Sequence, residues 1–166
     1  LVAFGDELGW PCIAKTSRGG YDGKGVWFPE SIAHLEALVD ELLAEDVELL
    51  AETKVDFVSE LSAMVARAPS GQLQTWPVVE SVQAGGVCAE AVAPAPGLPE
   101  SLRSEAEQLA VTVAEQLDVT GVLAVELFHY VDESGNDRLS VNELAMRPHN
   151  TGHWSQDGCV TSQFEQ

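Results

Sequence analysis

The chain has 166 residues, of which 45% are hydrophobic, so it can bury a core of ordinary size in one domain or two small lobes. Its formal net charge of -19 produces a field that repels nucleic acid and anionic membranes. No stretch is apolar for long enough to span a bilayer and no signal peptide is visible, so we expect a cytoplasmic protein with neither nucleic acid nor membrane as a partner.

The first predicted element is a short strand over residues 11–16, followed by a glycine-rich turn over 18–25 that leads into a second strand. Three of the eight basic residues, Lys15, Arg18 and Lys24, gather around this turn. Backbone N–H groups of glycines can approach a polyphosphate closely, and a lysine at the end of the strand can add a point charge. The segment therefore suits a phosphate-binding flap, but it lacks the spacing of the known phosphate loops and is also compatible with an ordinary turn.

Two side chains at the tip of that turn are not required for a turn. Tyr21 is aromatic and Asp22 is acidic, and both would be exposed there. The pair is compatible with contacts to a second substrate, and equally with a packing edge and an ordinary turn residue. Composition leaves both interpretations open.

The middle of the chain predicts a helix and several strands. Ser31 is a suitable N-cap for a helix with an apolar stripe at helical spacing, and residues 47–55 and 60–67 predict strands. Residues 52–60 alternate polar and apolar character as they leave the first of these strands. Such a segment could line a flat aromatic ring, although by itself this pattern is not specific.

The last part of the chain predicts more strands and a second helix. Residues 74–93 are strand-like but broken by two glycines, and the strands at 122–130 and 138–145 form a hairpin. The helix begins near Pro99 and directs one apolar stripe inward. That stripe consists of Leu102, Ala106, Leu109, Val113 and Leu117. Because strands and helices do not alternate regularly, we expect an α+β fold with largely antiparallel sheets.

Two carboxylates interrupt the apolar faces of the final hairpin. Period-two alternation puts Glu126 on the face of Ala124 and Phe128, and puts Glu143 on the face of Leu139 and Val141. A two-residue turn at Ser134 and Gly135 would bring the two glutamates directly opposite each other.

Facing carboxylates are costly to bury unless they are paired, protonated or bound to a cation. Glu126 and Glu143, with Asn142 beside them, offer the hard oxygen ligands that suit Mg²⁺, which completes its shell with water and substrate phosphates. The alternatives are a register shift that exposes one glutamate, or a simple ion pair with Arg147 or Lys54.

Three segments together resemble a known family. They are K-T-S-R-G-G-Y-D-G-K-G at 15–25, E-T-K-V-D-F-V-S-E-L-S at 52–62 and N-E-L-A-M-R-P-H-N-T-G-H-W at 142–154. In order and spacing they resemble the ATP-grasp part of the N5-carboxyaminoimidazole ribonucleotide synthase family, and the last segment is the most specific. The resemblance spans nearly the whole chain.

The resemblance implies an ATP-grasp fold, with residues 1–54 as a small lobe that holds the phosphate loop and residues 55–166 as a large lobe. The family's N-terminal and C-terminal domains would be absent. The implied protein is a ligase of purine biosynthesis that uses ATP and Mg²⁺. It would carboxylate 5-aminoimidazole ribonucleotide with bicarbonate through carboxyphosphate, as a homodimer in the full-length enzyme.

The resemblance also implies roles for individual residues. Nucleotide contacts would come from Lys15, Gly20, Tyr21, Asp22, Gly23, Lys24, Gly25 and Val26, from the hinge Glu52, Thr53, Lys54 and Val55, and from Glu60, Gln83, Asn142 and Glu143. Mg²⁺ would bind Glu126 and Glu143. Tyr21 and Asp22 would contact the ribonucleotide, and Arg147, His149 and Asn150 would form the catalytic site where bicarbonate is activated. Gln83 stands where relatives commonly have a histidine, so one contact near the nucleotide would differ.

Other interpretations remain open at this point. The same acyl-phosphate chemistry serves other ATP-grasp ligases and carboxylases with different acceptors. A nucleotide-binding fragment without chemistry is a further alternative. Without the resemblance, His149 and His153 would be interpreted as structural loop histidines.

Overall fold

The computed structural model describes residue 7 and residues 9–18, 24–43 and 47–166. They form two compact units: the first takes the described residues up to Val55 together with 85–87, and the second takes 56–84 with 88–166. Four residues of the predicted phosphate loop, Gly20, Tyr21, Asp22 and Gly23, lie outside the described residues. In the part of the chain that is described, no helix is long and apolar enough to cross a membrane.

The first unit contains a three-stranded sheet and a helix. β1 (Cys12–Thr16) lies between β2 (Val26–Trp27) and β3 (Leu49–Thr53), and both neighbours run antiparallel to it. The helix α1 (Ile32–Leu43) follows Ser31, whose hydroxyl accepts a hydrogen bond from the backbone N–H of His34 at 3.3 Å. The predicted strand and N-cap are therefore confirmed. The core of this unit is formed by Ala14, Leu35, Leu38 and Leu42.

The second unit is built on a six-stranded sheet. Its elements are β4 (Phe57–Arg67), β5 (Leu73–Thr75), β6 (Val79–Ala84), β7 (Val87–Val92), α2 (Glu100–Gln116), β8 (Gly121–Val131), β9 (Asp137–Ala145), a 3₁₀ turn (Asn150–Gly152) and α3 (Ser155–Gly158). The strands follow the order β7-β6-β4-β8-β9, and β5 pairs with β4. Strands β5, β6 and β8 are antiparallel to β4, and β9 is antiparallel to β8. The expected α+β fold with antiparallel sheets is confirmed.

One face of this sheet packs against α2 and forms the main core. The helix buries Leu102, Ala106, Ala110 and Ala114. Small alanines at a spacing of four allow the helix backbone to approach the sheet closely. Leu117, which was predicted to face inward, is 54% exposed because the helix has already ended at Gln116.

The β8–β9 hairpin closes with a longer loop than predicted. The backbone N–H of Asp132 donates to the carbonyl of Asn136 at 2.9 Å, which leaves residues 133–135 as the loop. The predicted two-residue turn at Ser134 and Gly135 is therefore wrong. Gly135 has φ +81°, a conformation that glycine supplies in three-residue hairpin loops. The additional loop residue shifts the pairing of the two strands by one position.

A β-bulge on the same hairpin cancels that shift. The register changes between Val125 and Leu127, so Glu126 faces both Asn142 and Glu143 rather than one partner. The predicted one-to-one pairing of the two glutamates is corrected accordingly.

The bulge also corrects the predicted face of Glu143. Val141 pairs with Leu127, which belongs to the core under α2, and Leu139 packs against that core. Ala145 belongs to the smaller core on the other face of the sheet. Counting back by two from Ala145 places Glu143 on this second face, which also carries the glutamate of β8. Glu143 therefore does not share a face with Leu139 and Val141.

Candidate functional site

In the first unit, several predicted nucleotide contacts lie on the face of the sheet that α1 does not cover. Ala14 of β1 packs on the helix, so alternation directs its neighbour Lys15 to the opposite face. The Nζ of Lys15 is 2.6 Å from a carboxylate oxygen of Glu52 on β3. Val26, the β2 partner of Lys15, lies on this same face. The uncovered face thus presents a paired cation and carboxylate beside an apolar residue.

The end of the glycine-rich segment is fixed by close packing against β1. Gly25 has φ +78°, and its carbonyl accepts a hydrogen bond from the backbone N–H of Thr16 at 2.9 Å. A Cβ at this position would lie 2.7 Å from the Thr16 hydroxyl oxygen. Both the dihedral and the space therefore require glycine here. Lys24, one residue earlier, is exposed.

The predicted hinge residues lie at the end of the first unit. Thr53 is the last residue of β3, and Lys54 and Val55 follow it without regular structure. Thr53 and Lys54 are exposed, whereas Val55 is half-buried.

In the second unit, a polar strip crosses the sheet face opposite α2. Ser62 on β4 pairs with Glu126 on β8, and Glu60 pairs with Phe128. On the other side of β4, Glu60 pairs with Ser81 of β6. All five side chains share one face by alternation. Together with neighbouring side chains they line a shallow pocket, whose residues are Glu60, Leu61, Ser62, Ser81, Gln83, Glu126, Leu127, Phe128, Asn142 and Thr151.

The strip concentrates negative charge. Burial raises the pKa of the Glu60 carboxyl above its ordinary value, repulsion from Glu126 raises that pKa further, and a hydrogen bond from the Gln83 side chain opposes both effects. The Gln83 amide also donates to the Ser81 hydroxyl at 2.9 Å. An anionic, partly desolvated surface of this kind favours a bound cation.

Glu126 is the most highly connected carboxylate of the strip. Its Oε2 accepts a hydrogen bond from the Asn142 side-chain amide at 3.1 Å, and its Oε1 lies 3.0 Å from Nε2 of His149. The sequence left Arg147 or Lys54 as alternative ion-pair partners of a glutamate, and the structure places His149 against Glu126. Arg147 is exposed, and its guanidinium donates to the carbonyl of Pro148 at 3.1 Å.

His149 belongs to a buried hydrogen-bond network. The residue is 5% exposed, and its Nδ1 lies 2.8 Å from the hydroxyl of Thr151. That hydroxyl in turn donates to the hydroxyl of Ser62 on β4 at 2.8 Å. The backbone N–H of His149 donates to the side-chain oxygen of Gln163 at 2.8 Å. Asn150, in contrast, is exposed at the start of the 3₁₀ turn.

Three residues of this network, Ser62, Thr151 and Gln163, were not identified from the sequence. Ser62 carried a detectable signal, because it is a polar residue flanked by the apolar Leu61 and Ala63 at the start of the apolar half of β4. Gln163 gave no signal, since it lies 14 residues beyond His149 and contacts it only through tertiary structure.

Among the described residues, no group of three or more His, Cys, Asp or Glu side chains is arranged as a metal site.

A model of the ATP-grasp domain matches residues 1–164. The chain belongs to the ATP-grasp family.

Known proteins with similar sequences and structures include several N5-carboxyaminoimidazole ribonucleotide synthases. The chain is 60% identical over 158 residues to the N5-carboxyaminoimidazole ribonucleotide synthase of Corynebacterium ammoniagenes, covering 95% of this chain and 38% of that protein. The carboxyaminoimidazole ribonucleotide synthase of Aspergillus clavatus complexed with ATP has a TM-score of 0.87 at 31% identity, covering 98% of this chain and 41% of that one. The structure of the Aspergillus clavatus protein with ADP and 5-aminoimidazole ribonucleotide has a TM-score of 0.84 at 29% identity, covering 99% and 41%. This ATP-grasp chain thus spans about two fifths of the length of these relatives.

Proposed function

We propose that this chain is the nucleotide-binding part of an ATP-dependent N5-carboxyaminoimidazole ribonucleotide synthase. The reaction transfers the γ-phosphate of ATP to bicarbonate, and the resulting carboxyphosphate carboxylates the amine of 5-aminoimidazole ribonucleotide. The observation that supports it best is the polar strip, in which Glu126 joins Asn142 to the buried His149. The strip sits in a chain 60% identical to a relative of that name.

The two units divide the proposed nucleotide contacts. In the small lobe, proposed as residues 1–54, Lys15 and the segment from Gly20 to Val26 would contact phosphates, because a lysine supplies positive charge and a glycine-rich sequence suits close approach of a polyphosphate. The hinge from Glu52 to Val55 would contact the adenine. In the large lobe, proposed as residues 55–166, Glu60 would accept from the ribose hydroxyls.

Magnesium would be held by Glu126 and Glu143, with Asn142 beside them. The donor chemistry fits, since two carboxylates and an amide oxygen are hard ligands and the bulge places both β9 residues on the face of Glu126. Burial is the main cause of the raised pKa of Glu60, and repulsion from Glu126 adds to it, so the carboxylates here are partly desolvated. When bound, the metal would neutralise charge on the β- and γ-phosphates.

Bicarbonate activation would use Arg147, His149 and Asn150. The planar guanidinium of Arg147 can donate two parallel hydrogen bonds to a two-oxygen anion. His149 is held in one orientation by its neighbours, and a fixed donor near developing charge lowers the barrier without reorganisation. Tyr21 and Asp22 would contact the ribonucleotide.

The proposal also includes a cytoplasmic location and a homodimer for the longer enzyme. A purine-biosynthetic ligase would meet its small-molecule substrates there. The sequence supports this placement through its composition, which contains no long apolar stretch.

The decisive experiment compares two proteins. ATP-dependent phosphate release is measured for the 166-residue chain and for a chain extended to the length of the relatives, with and without bicarbonate and 5-aminoimidazole ribonucleotide. We expect the extended chain to release phosphate only when bicarbonate is present and to form the carboxylated amine. Turnover with a different amine acceptor, or ATP binding without bicarbonate-dependent turnover in the extended chain, would contradict the proposal.

A further inference from the structure

The polar groups of His149 are engaged from several directions. Its ring nitrogens contact Glu126 at 3.0 Å and Thr151 at 2.8 Å. Its backbone N–H donates to the side-chain oxygen of Gln163 at 2.8 Å, and its carbonyl accepts from the Gln163 amide nitrogen at 2.9 Å. The same carbonyl also accepts from the backbone N–H of Gly152 at 3.0 Å. Gln163 therefore supplies the partner of the His149 N–H and one of the two partners of its carbonyl.

The chemistry of this contact requires an amide at position 163. Gln163 is 1% exposed, and its nitrogen also lies 2.9 Å from Nδ1 of His153. An amide nitrogen carries two hydrogens and accepts none, so Nδ1 of His153 is the acceptor. The opposite orientation of the amide would place oxygen against the carbonyl of His149 and nitrogen against its N–H. The hydrogen-bond network thus fixes the orientation of Gln163.

The absence of a side chain at Gly152 leaves the space that the Gln163 amide occupies. A Cβ on Gly152 would collide with the side chains of Gln163 and Met64. The backbone N–H of Gln163 donates to the hydroxyl of Ser155 at 3.0 Å, and that hydroxyl donates to the carbonyl of Gly152 at 2.6 Å. The glycine of the H-N-T-G-H segment therefore makes room for a side chain outside that segment.

We propose that Gln163 is a positioning residue for His149: by holding its backbone on both sides, it aims the imidazole so that the ring bridges Glu126 and Thr151. The inference rests on the proposed function, in which His149 contributes to bicarbonate activation. Gln163 does not touch the reacting groups itself and acts through His149.

The first test is spectroscopic and is independent of turnover. Histidine-selective ¹⁵N labelling of the 166-residue chain gives ring signals for four histidines, His34, His129, His149 and His153. Gln163→Met keeps the length of the side chain but removes the three hydrogen bonds, so we expect the signals of His149 and His153 to shift while those of His34 and His129 stay in place. Gln156→Ala is the matched control, because Gln156 is exposed and reaches only the carbonyl of His153, at 3.5 Å. Unchanged His149 ring signals in Gln163→Met would overturn the inference.

The second test is kinetic and uses the extended enzyme. Gln163→Met should raise the KM for bicarbonate about 10-fold, which is the lower end of the effect of removing a group that orients a metal-bound histidine. The KM for ATP should stay at the wild-type value, and an equal rise in both KM values would indicate a merely structural role and overturn the inference.

A second variant keeps the inference testable if Gln163→Met does not fold. Thr151→Val preserves shape, removes the ring partner and leaves the backbone contacts of Gln163 in place. The His149 ring signals should then shift while its backbone amide signal does not, and the reverse pattern would contradict the proposed geometry. Failure of the proposed function would appear differently, as wild-type enzyme without bicarbonate-dependent turnover, and the ring signals would still decide the role of Gln163.

Discussion

Among single residues, Glu126 combines a negative charge with contacts to Asn142 and His149. Glu126→Gln keeps an oxygen that can accept from Asn142 but removes the negative charge, so the fold should persist while Mg-ATP binding weakens. We expect an affinity loss of about 10-fold or more in titration calorimetry, with a similar loss for Glu143→Gln. Glu133→Gln, on the exposed loop of the same hairpin, is the control and should bind normally. Wild-type affinity in both site variants would remove the metal assignment.

The raised pKa of Glu60 leads to a prediction about how the stability of the fold depends on pH. This pKa is raised in the folded protein, chiefly by burial, so the folded state binds more protons than the unfolded state just above the ordinary glutamate pKa of about 4.3. Stability should therefore fall as pH rises from that value through the raised one. Glu60→Gln should remove this part of the slope in urea unfolding curves measured from pH 4 to about pH 7.

The control for Glu60 is an exposed glutamate of the same unit. Glu105→Gln on α2 removes one exposed carboxylate of the same unit and shows how much of any change comes from the loss of a negative charge alone. A Glu60→Gln variant with the wild-type slope would show that the carboxyl titrates alike in both states.

Some residues of the site can be identified from the sequence and others cannot. Glu126 is detectable because a charge interrupts the apolar alternation of β8, which is a local signal, whereas the face predicted for Glu143 was wrong. The partners of His149 are not detectable, since Ser62 lies 89 residues from Thr151 in the chain and meets it only after the sheet has formed. A candidate carboxylate can thus be predicted, but the network that orients its neighbour cannot.

Among elements, the β8–β9 hairpin shows how one loop residue changes a site. Both strands were predicted near their observed positions, yet the turn was counted one residue too short. The later bulge restores the register and places Asn142 beside Glu143 opposite Glu126. No sequence pattern marks that bulge, because Asn142 and Glu143 are both polar and fit either register.

The left-handed conformation of Gly135 leads to a prediction about how much the hairpin loop contributes to stability. Gly135 has φ +81°, so Gly135→Ala forces an alanine into the left-handed region. The substitution should lower the free energy of unfolding by about 1 kcal/mol or more. Urea unfolding should detect this loss, and Ser134→Ala in the same loop should leave stability near wild type. Equal effects of the two substitutions would contradict the observed loop conformation.

Asp132 gives the hairpin a distinct acid response. Backbone N–H donation from Asn136, with further hydrogen bonds from Arg138 and Ser134, lowers the Asp132 pKa to about 2. A lowered pKa contributes stability that is present above the ordinary aspartate value and is lost as pH falls towards the folded value. The amide signals of Ser134 and Asn136 should therefore shift between pH 4 and about pH 2. Asp132→Asn should abolish that transition, and its persistence would assign the transition to another group.

At the scale of the whole molecule, the sequence predicts class and architecture better than detail. Antiparallel sheets with flanking helices follow from irregular ordering of strands and helices, a pattern distributed over the entire chain. Local errors such as the position of Leu117 do not disturb it, because a helix boundary moves by one residue without changing which elements pack together. The hydrogen-bonded details of the site depend on contacts between distant segments.

Net charge leads to a final prediction for the entire chain. At -19, mutual repulsion opposes the compact state, and this repulsion is screened by salt. The screening length falls from about 30 Å at 0.01 M ionic strength to about 8 Å at 0.15 M, so distant charges stop interacting over that range. The urea midpoint should therefore rise with NaCl, and KCl at the same ionic strength should act alike because screening ignores ion identity. A midpoint that stays flat or falls would mean that local pairs such as Lys15–Glu52, which salt weakens, outweigh the general repulsion.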